Sequence, residues 1–550
     1  MTDSPALRKI RGAFFTPPPI TRFLAEWAVR SAEDRVLEPS CGEAEFLLAA
    51  GRRLRELGAG LFAGETLHGI ELHAPSAEIG AARVRDAGLI ADITVSDFFD
   101  IPAEPAYDVV MGNPPYIRYQ DFTGESRAKA LRAALRDGVR LNGLASSWAA
   151  FVVHASAFLK PGGRLALVLP AELLSVKYAA EVRRFLLRRF GSVKLVMFDE
   201  LVFPDVQEEV VLLLAEGAGP APSFEVYQAR DARDLPRVEQ ANWVAYAPTD
   251  GEKWMPAVVR PESIEAYRAA VDSDAFETLV DWGQTYLGCV TGNNRYFTFS
   301  AKDAFRLRIP SEERVRISPP GSRHLRGLTF TNTAWQQLLR AERPCYLLLP
   351  DPENPSEDSL RYIRAGEMTG IHKAYKCRIR SPWWRVPIVP VADLFLTYMD
   401  RDRPRLVTNR AGVYHLNSLY GVRLRDERRR LGMDLLPLAA INSVTLLGAE
   451  LVGRAYGGGI LKLEPREADQ LPVPSFSLVR AKARALRALY RRASVALREG
   501  KLVEVVSMVD QVLLSEGARL TLAQIRDLRE ARSMLFGRRI TRAAKTNGAD

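Results

Sequence analysis

Short apolar runs alternate with amphipathic segments through about the first 240 residues of the chain. In segment 20–29, apolar residues recur at steps of three and four, which predicts a helix. The predicted strands cover 35–38, 67–71, 93–97, 107–111, 164–169, 193–198 and 208–215, and the other predicted helices cover 74–87, 144–159 and 177–190. Strands and helices that alternate in this way predict a parallel sheet with helices on both faces.

The alternation ends near residue 240, after a turn-rich stretch at 216–222. Irregular segments rich in arginine and tryptophan follow, and helical periodicity returns over 475–535. A chain of 550 residues exceeds one ordinary core. We therefore predict an α/β domain at 1–235, an α+β domain at 236–474 and a helical segment at 475–550.

Composition then narrows the class of protein. Hydrophobic residues make up 47% of the chain, as in soluble globular proteins. Apolar runs such as 210–215 are far shorter than the roughly 18 residues of a membrane helix. Segment 1–11 is charged and lacks a signal-type apolar core, so we expect a cytoplasmic protein. The four cysteines form no Cys-x-x-Cys pair, which argues against a zinc module and a disulfide framework.

The positive charge of the chain is concentrated at one end. The formal net charge is +10, and segment 475–550 carries 16 Lys and Arg against 7 Asp and Glu. A local basic excess is the footprint of a polyanionic partner, whereas the alternative is a solvated helical face. The concentration in one segment favours a nucleic acid as the partner.

The strongest chemical signal lies in segment 107–116. The apolar run 109–111 is typical of a buried parallel strand, and Pro114 and Pro115 end that strand because they lack backbone donors. In open α/β sheets, ligands bind at the carboxyl ends of the strands. The sequence therefore predicts that Asn113 and Tyr116 lie in a ligand-binding crevice.

Two hydrogen-bond acceptors are side by side in this turn, the side-chain oxygen of Asn113 and the carbonyl of Pro114. Such a pair suits the exocyclic amine of a purine, whose delocalised lone pair becomes localised when both N–H groups donate. Tyr116 offers a ring face on which a base can stack, a contact of roughly 1–3 kcal/mol. The alternative is a proline-rich turn with a capping asparagine.

Three acidic residues, Glu38, Glu71 and Asp97, end the first three predicted strands. The small residues after Glu38, including Cys41 and Gly42, let the backbone approach a ligand closely. An acid at the tip of such a strand is placed to accept hydrogen bonds from ribose hydroxyls. Each acid alone is more often a strand-end cap, but their placement at successive strand ends favours a nucleotide-like ligand.

Asn-Pro-Pro-Tyr at 113–116, after an apolar strand, resembles the catalytic motif of the gamma-class N6-adenine DNA methyltransferases. Phe-Thr-Pro at 15–17 and Glu-Pro-Ser-Cys-Gly at 38–42 resemble the cofactor elements of that family. Ala44 departs from the family pattern, which has a second glycine at this position. We expect an alanine to fit there only if its φ is negative.

The resemblance implies a Rossmann-like, S-adenosylmethionine-dependent domain at 1–235, with a last strand that hairpins back antiparallel, and a target-recognition domain at 236–474. Thr16 is also a candidate N-terminal cap of the first helix. The implied site residues are, for catalysis, Asn113, Pro114, Pro115 and Tyr116; for cofactor binding, Thr16, Glu38, Cys41, Gly42, Glu71, Asp97 and Phe98; and for stacking on the substrate base, Tyr116 and Phe203.

Three segments of the second half resemble pieces of the family's target-recognition domains: 288–297, 375–384 and 456–465. They interleave basic and aromatic residues, which suits phosphate contact combined with base stacking, although a basic surface over an aromatic core is the alternative. The candidate DNA-binding residues are Arg295, Lys376, Arg380, Trp383 and Lys462.

The expected reaction is methylation of adenine N6 in double-stranded DNA, on a base flipped out of the helix, without a metal ion. Methylation of RNA or of protein glutamine, and a catalytically inactive DNA-binding module, are the alternatives. A fused nuclease is not expected, because the chain shows no persuasive Pro-Asp…Glu-x-Lys signature. We expect a monomer, and a separately encoded restriction or defence protein is a candidate partner.

Overall fold

The computed structural model describes residues 16–60, 66–200, 202–203, 209–240 and 242–546. The chain divides into two compact units, Met1–Val258 and Val259–Asp550. Phe15 of the Phe-Thr-Pro motif lies outside the described residues.

The first unit is built on one sheet of nine strands, in the order β3-β2-β1-β4-β5-β7-β6-β8-β9. Strands β1 to β5 pair in parallel, and β7 runs antiparallel between β5 and β6. The predicted antiparallel return of the last strand is therefore confirmed. The strands are β1 Val36–Glu38, β2 Leu67–Glu71, β3 Asp92–Val95, β4 Tyr107–Gly112, β5 Leu159–Pro170, β6 Ser192–Phe198, β7 Val210–Glu216, β8 Phe224–Ala229 and β9 Val244–Tyr246.

Helices connect these strands, as the sequence pattern predicts. Apolar residues on α1 and α2 pack against the central strands in one hydrophobic core, in which Ile20, Leu24 and Leu47 are fully buried. The α-helices described in this unit are α1 Pro18–Ala28, α2 Glu45–Glu56, α3 Ala74–Asp86, α4 Gly124–Arg136, α5 Ser147–Ala157, α6 Glu172–Ser175 and α7 Ala180–Arg189. Because β1 to β4 are parallel, the turns that follow them lie at one edge of the sheet.

The second unit combines four small sheets with many helices. A five-stranded sheet has the order β11-β19-β16-β18-β14, and the other sheets have two or three strands. The strands are β10 Phe276–Thr278, β11 Gly283–Leu287, β12 Thr298–Phe299, β13 Arg314–Arg316, β14 Thr329–Phe330, β15 Tyr346–Leu348, β16 Leu394–Leu396, β17 Met399–Asp400, β18 Leu406–Asn409, β19 Tyr420–Leu424, β20 Arg454–Tyr456, β21 Ile460–Lys462 and β22 Pro472–Pro474.

The helices of this unit include the predicted periodic segment near the C-terminus. They are α8 Pro261–Val271, α9 Leu279–Trp282, α10 Asn294–Phe297, α11 Ala301–Arg306, α12 Asn332–Arg340, α13 Glu357–Met368, α14 Tyr375–Arg378, α15 Asp426–Ala439, α16 Ser443–Val452, α17 Pro465–Asp469, α18 Phe476–Ala481, α19 Ala483–Arg498, α20 Leu502–Asp510 and α21 Leu522–Thr546. Apolar residues of the later helices share one core with the five-stranded sheet.

Buried polar contacts fix the last helices. Asp510 is 1% exposed and accepts from the backbone N–H of Ser443 at 2.8 Å and from Arg529 at 2.8 Å. Arg539 on α21 donates to both carboxylate oxygens of Glu450 on α16, at 2.7 and 3.1 Å, and both side chains are about 5% exposed or less. Charged groups removed from water in this way need such partners.

No single helix in the described part of the chain is long and apolar enough to cross a membrane. Helices α15 and α16 reach that composition only as a pair, and this pair is bent by 86°. All four cysteines are free thiols and buried. Burial raises the pKa of Cys345 to about 11, and burial together with nearby carboxylates raises the pKa of Cys41.

Candidate active site

The turn after β4 places Asn113 at the carboxyl edge of the sheet, between neighbours β1 and β5. The Nδ2 group of Asn113 donates to the hydroxyl oxygen of Thr16 at 3.1 Å. Its Oδ1 atom is buried and has no hydrogen-bond partner among the described residues. A buried acceptor without a partner costs free energy, and such groups in native proteins often mark a ligand site. Thr16 thus fixes the orientation of the amide and leaves Oδ1 as its acceptor.

The prediction that Thr16 caps the first helix is wrong. Helix α1 is capped by Pro17 without a side-chain hydrogen bond, and Pro18 occupies its first turn. The fixed φ of Pro18 is already suited to a helix start, so a hydroxyl cap is not required. Thr16 is 5% exposed, and its hydroxyl serves Asn113 instead.

Tyr116 is held at two points. Its hydroxyl donates to the carbonyl of Val168 on β5 at 2.9 Å. The backbone on either side is bound by Ser147, the first residue of α5: the Ser147 hydroxyl donates to the carbonyl of Pro115 and accepts from the N–H of Ile117 at 2.9 Å. The N–H of Ser147 also donates to the carbonyl of Ile117 at 3.0 Å. Ser147 therefore clamps the turn that presents the Tyr116 ring. Sequence reasoning missed this residue, because it is distant in sequence and its only signal is a serine at a helix start.

We expect Ser147→Ala to lower turnover about tenfold. The variant leaves the N–H of Ile117 without its acceptor and loosens the Tyr116 ring, and a lost hydrogen bond of this kind costs roughly 1–3 kcal/mol. Affinity for the cofactor should stay within about threefold of wild type, since the described hydrogen bonds of Ser147 are with the turn at Pro115 and Ile117. Steady-state methylation assays and cofactor titrations measure both quantities. Ser156→Ala is the matched control: Ser156 is fully buried on the same helix, and among the described residues its hydroxyl donates to the carbonyl of Val152 alone. Equal turnover of the two variants would contradict a clamp at Ser147.

The loop after β1 is tightly bound to β2. The N–H of Cys41 donates to the carbonyl of Ile70 at 2.9 Å, and the N–H of Gly42 donates to the Glu71 carboxylate at 2.8 Å. A Cβ atom at Gly69 would lie 2.9 Å from the sulfur of Cys41, so the close packing of the loop against β2 requires glycine at this position. Gly42 itself has a φ of 51° and faces open space.

The expectation that an alanine fits this position only with a negative φ is wrong. Ala44 has a φ of 66° and a ψ of 31°, in the left-handed region, and is completely buried. An alanine in this conformation costs roughly 1–2 kcal/mol relative to a right-handed one. The loop keeps the backbone path that a glycine would adopt, because hydrogen bonds on both sides of Ala44 determine it: its N–H donates to Cys41 at 2.7 Å and its carbonyl accepts from Leu48 at 2.9 Å.

The two other strand-end acids lie beside this loop in the order of the sheet. Glu71 accepts from the N–H of Gly42 through one oxygen and from the N–H of His73 through the other, each at 2.8 Å. Asp97 accepts from the N–H of Phe99 at 3.1 Å, and its second oxygen lies 3.8 Å from the amine of Lys129. Both carboxylates have lone pairs left for a ligand. Lys129, on α4, is a further basic residue near this edge.

Glu38 lies below this edge rather than on it. Its side chain is 2% exposed, and one carboxylate oxygen accepts from the N–H of Leu47 at 3.0 Å. Burial, together with the charges of Glu71 and Glu45, raises the pKa of Glu38 well above its ordinary value. Glu38 therefore acts through the shape of the loop, as a link between β1 and α2.

The raised pKa of Glu38 predicts a pH dependence of stability. The folded protein holds the Glu38 proton more tightly than the unfolded chain, in which the pKa of a glutamate is about 4.3. Unfolding then releases a proton, so rising pH lowers the free energy of unfolding from about pH 4.3 up to the folded pKa. Glu38→Gln keeps a hydrogen-bond acceptor for the N–H of Leu47 and removes this fall in the free energy of unfolding with rising pH.

The melting temperature of Glu38→Gln minus that of wild type should therefore increase by a few degrees from about pH 5 to about pH 8. Melting curves across that range measure the difference. Curves that stay parallel for the two proteins would mean that Glu38 does not hold its proton on folding.

The two phenylalanines predicted to contact the cofactor and the substrate base, Phe98 and Phe203, are buried. Phe98 is 3% exposed and stacks on Phe151 and Phe158, with centroid distances of 5.1 and 5.3 Å. Phe203 is 4% exposed and packs in the core of the first unit. The structure brings Thr16 and Asn113 together, while Phe98 and Phe203 are core residues in this state.

The predicted DNA-binding residues have different surroundings. Arg295 and Lys376 are both exposed, whereas the other three make contacts within the protein. Arg380 donates to the carbonyls of residues 290 and 291, Trp383 donates to the Glu367 carboxylate at 2.9 Å, and Lys462 pairs with the Glu464 carboxylate at 2.8 Å. Segments 288–297 and 375–384 thus lie against each other through Arg380.

Two family models match the chain. The N-6 DNA Methylase model matches residues 4–214, and the model of the C-terminal domain of the Type II methyltransferase M.Eco57I matches residues 251–514. The chain belongs to the N6-adenine DNA methyltransferases of restriction–modification systems. This methyltransferase carries the family's Asn-Pro-Pro-Tyr motif at the strand-end turn described above.

Two relatives of similar length, M.AccI and M.XamI, support this membership. The Type II methyltransferase M.AccI of Acinetobacter calcoaceticus is 22% identical over 520 residues, which cover 92% of this methyltransferase and 93% of M.AccI. M.XamI of Xanthomonas campestris pv. amaranthicola is 24% identical over 491 residues, 86% of each chain. The solved structure of the type IIG restriction endonuclease BpuSI aligns with a TM-score of 0.44 at 15% identity, over 99% of this chain and 68% of that one.

Proposed function

We propose that this methyltransferase transfers a methyl group from S-adenosylmethionine to N6 of an adenine extruded from double-stranded DNA, in the cytoplasm, for restriction–modification or phage defence. Residues 1–235 catalyse the transfer, residues 236–474 recognise the target, and residues 475–550 add a basic surface. The observation that carries the proposal is the Asn113 amide, whose Oδ1 is buried without a described partner while Thr16 binds its Nδ2.

The residues at the strand ends suit S-adenosylmethionine. Gly42 leaves open space beside the Glu71 carboxylate, which can accept from ribose hydroxyls. The oxygen of Asp97 that faces Lys129 can accept from an adenine amine. When bound, the cofactor supplies a methyl group on a positively charged sulfur, which makes that methyl strongly electrophilic.

Asn113 and Pro114 act on the nucleophile. The N6 amine donates one hydrogen to Oδ1 of Asn113 and the other to the carbonyl of Pro114, so that its lone pair is localised on nitrogen. Positive charge then develops on N6, and the same two acceptors stabilise it. The described partners of the Asn113 side chain include no carboxylate or imidazole, so we expect water to take the proton that N6 loses.

The substrate must leave the double helix, since N6 of a paired adenine is occupied in its base pair. Extrusion costs a few kcal/mol, which stacking and protein contacts offset. Tyr116, bound through its hydroxyl and through its flanking backbone, is the ring placed for that stacking. The relatives M.AccI and M.XamI are named as Type II methyltransferases, which favours DNA over RNA or protein glutamine as the substrate.

Long-read sequencing of DNA from a methylation-free host that expresses the full chain tests the proposal. N6-methyladenine should appear in one sequence context and should be absent when Asn113→Ala is expressed at the same level. The same host without the protein gives the background. DNA that stays unmodified, with folded protein that binds S-adenosylmethionine in vitro, would overturn the choice of DNA as substrate.

A further inference from the structure

The segment Met368–Ile379 of the second unit exposes three large apolar side chains. Met368 is 89% exposed, Tyr375 is 63% exposed and Ile379 is 59% exposed. Single exposed apolar residues are common on protein surfaces, whereas several in one short stretch are typical of an interaction site. Helix α13 ends at Met368, the short helix α14 begins at Tyr375, and Ile379 directly follows that helix, so one short stretch of the chain presents all three.

The same stretch is strongly basic. Lys373, Lys376 and Arg378 are exposed, and none of them pairs with a carboxylate of a described residue. The amine of Lys376 lies 5.5 Å from the centre of the Tyr375 ring. The nearby carboxylate of Glu367 is already engaged by Trp383. The surface therefore fits an anionic partner with flat apolar groups, which is the character of a nucleic acid.

Buried contacts hold this surface in place from below. Cys377 is fully buried, and its sulfur lies 3.7 Å from the carbonyl of Thr291. Arg380 donates to the same carbonyl at 2.9 Å. Gly292 has a φ of 87°, and a side chain there would stand 3.0 Å from the Cys377 sulfur. Because the segment is already ordered, binding would cost little conformational entropy.

We propose that these exposed residues form a DNA-docking surface, the basic–apolar surface, composed of Met368, Lys373, Tyr375, Lys376, Arg378 and Ile379. Lys373, Lys376 and Arg378 contact phosphates, and Tyr375 and Ile379 enter a groove and contact bases. Apolar side chains that enter a groove can also wedge between base steps and bend the duplex. The inference rests on the proposed function, since it assigns the DNA contact of that same enzyme.

Two variants of the full-length protein separate the two kinds of contact. Lys373→Gln/Lys376→Gln/Arg378→Gln removes the cations, and Tyr375→Ala/Ile379→Ala removes the apolar groups. Ile79→Ala/Arg85→Gln is the matched control, because both residues lie on helix α3 of the first unit, where Ile79 is 47% exposed and Arg85 is exposed. The assay is fluorescence anisotropy with a labelled duplex that carries the sequence found methylated in the host, or a mixed-sequence duplex if none is found.

The cationic variant should reduce the slope of log affinity against log salt by about 3, near one for each phosphate that the variant no longer neutralises. The apolar variant should weaken binding about tenfold to a hundredfold while the slope stays unchanged. Binding by both variants within twofold of the control would overturn the docking surface, whether or not the wild type methylates DNA. Unmethylated host DNA would instead count against the proposed function, so the two failures are distinguishable.

Discussion

Asn113→Ala should lower the turnover of adenine methylation by about a hundredfold to a thousandfold. The variant loses the Oδ1 acceptor of Asn113, so of the two proposed acceptors the Pro114 carbonyl alone remains to polarise the amine. The effect falls on kcat, because the acceptors bind most strongly to the charge that develops on N6 during transfer. Single-turnover methylation of a duplex with the recognised site measures it directly.

Affinity for S-adenosylmethionine separates a chemical defect from a folding defect. It should stay within about threefold in Asn113→Ala, because the strand-end acids Glu71 and Asp97 are untouched. Asn242→Ala, a substitution of an exposed asparagine of the same unit, should behave as wild type in both assays. Turnover within tenfold of wild type in Asn113→Ala would show that the amide is not the principal acceptor.

Arg539→Met should destabilise the second unit by about 3–5 kcal/mol, because it leaves Glu450 buried without its cation. Arg539 also donates to the backbone carbonyls of Arg401 and Gly459, so two further acceptors lose a partner, and the Gly459 carbonyl is buried. Thermal unfolding should show a fall in melting temperature of roughly 10 °C.

Two further variants identify the source of that loss. Arg526→Met on the same helix removes a cation that is 68% exposed and lies 3.9 Å from the Glu530 carboxylate, and should change stability by less than about 1 kcal/mol. Arg539→Met/Glu450→Leu should recover much of the loss, because it removes the orphaned charge. A double variant no more stable than Arg539→Met would assign the loss to helix packing instead.

Much of the first unit could be predicted from the sequence, for a physical reason. Buried parallel strands require apolar runs, and the turns after them require small or rigid residues, so both leave a local signal. Glu71, Asp97 and Asn113 follow three such runs, and parallel pairing then places all three at one edge of the sheet. The function followed from that edge and from the Asn-Pro-Pro-Tyr motif.

The features that the sequence did not predict depend on contacts between residues that are distant along the chain. Asn113 donates to Thr16, and Ser147 donates to the carbonyl of Pro115. These residues are far apart in the sequence, and no local sequence pattern shows that they bond to each other. Ala44 adopts a conformation that its residue type disfavours, because the surrounding hydrogen bonds determine the loop. In the second unit, basic and aromatic residues alternate in the sequence both where they are exposed and where they bond within the protein. Only the fold distinguishes Arg380, which donates to a backbone carbonyl, from the exposed Lys376.

The burial of all four cysteines makes the native protein a convenient object for site-directed labelling. Maleimide reagents attack the thiolate, and enclosed thiols with raised pKa values present almost none at neutral pH. A single cysteine introduced on the surface, such as Val503→Cys, would then accept one fluorophore without prior replacement of the natural residues. A dye at that position would allow the arrival of a duplex to be followed in real time.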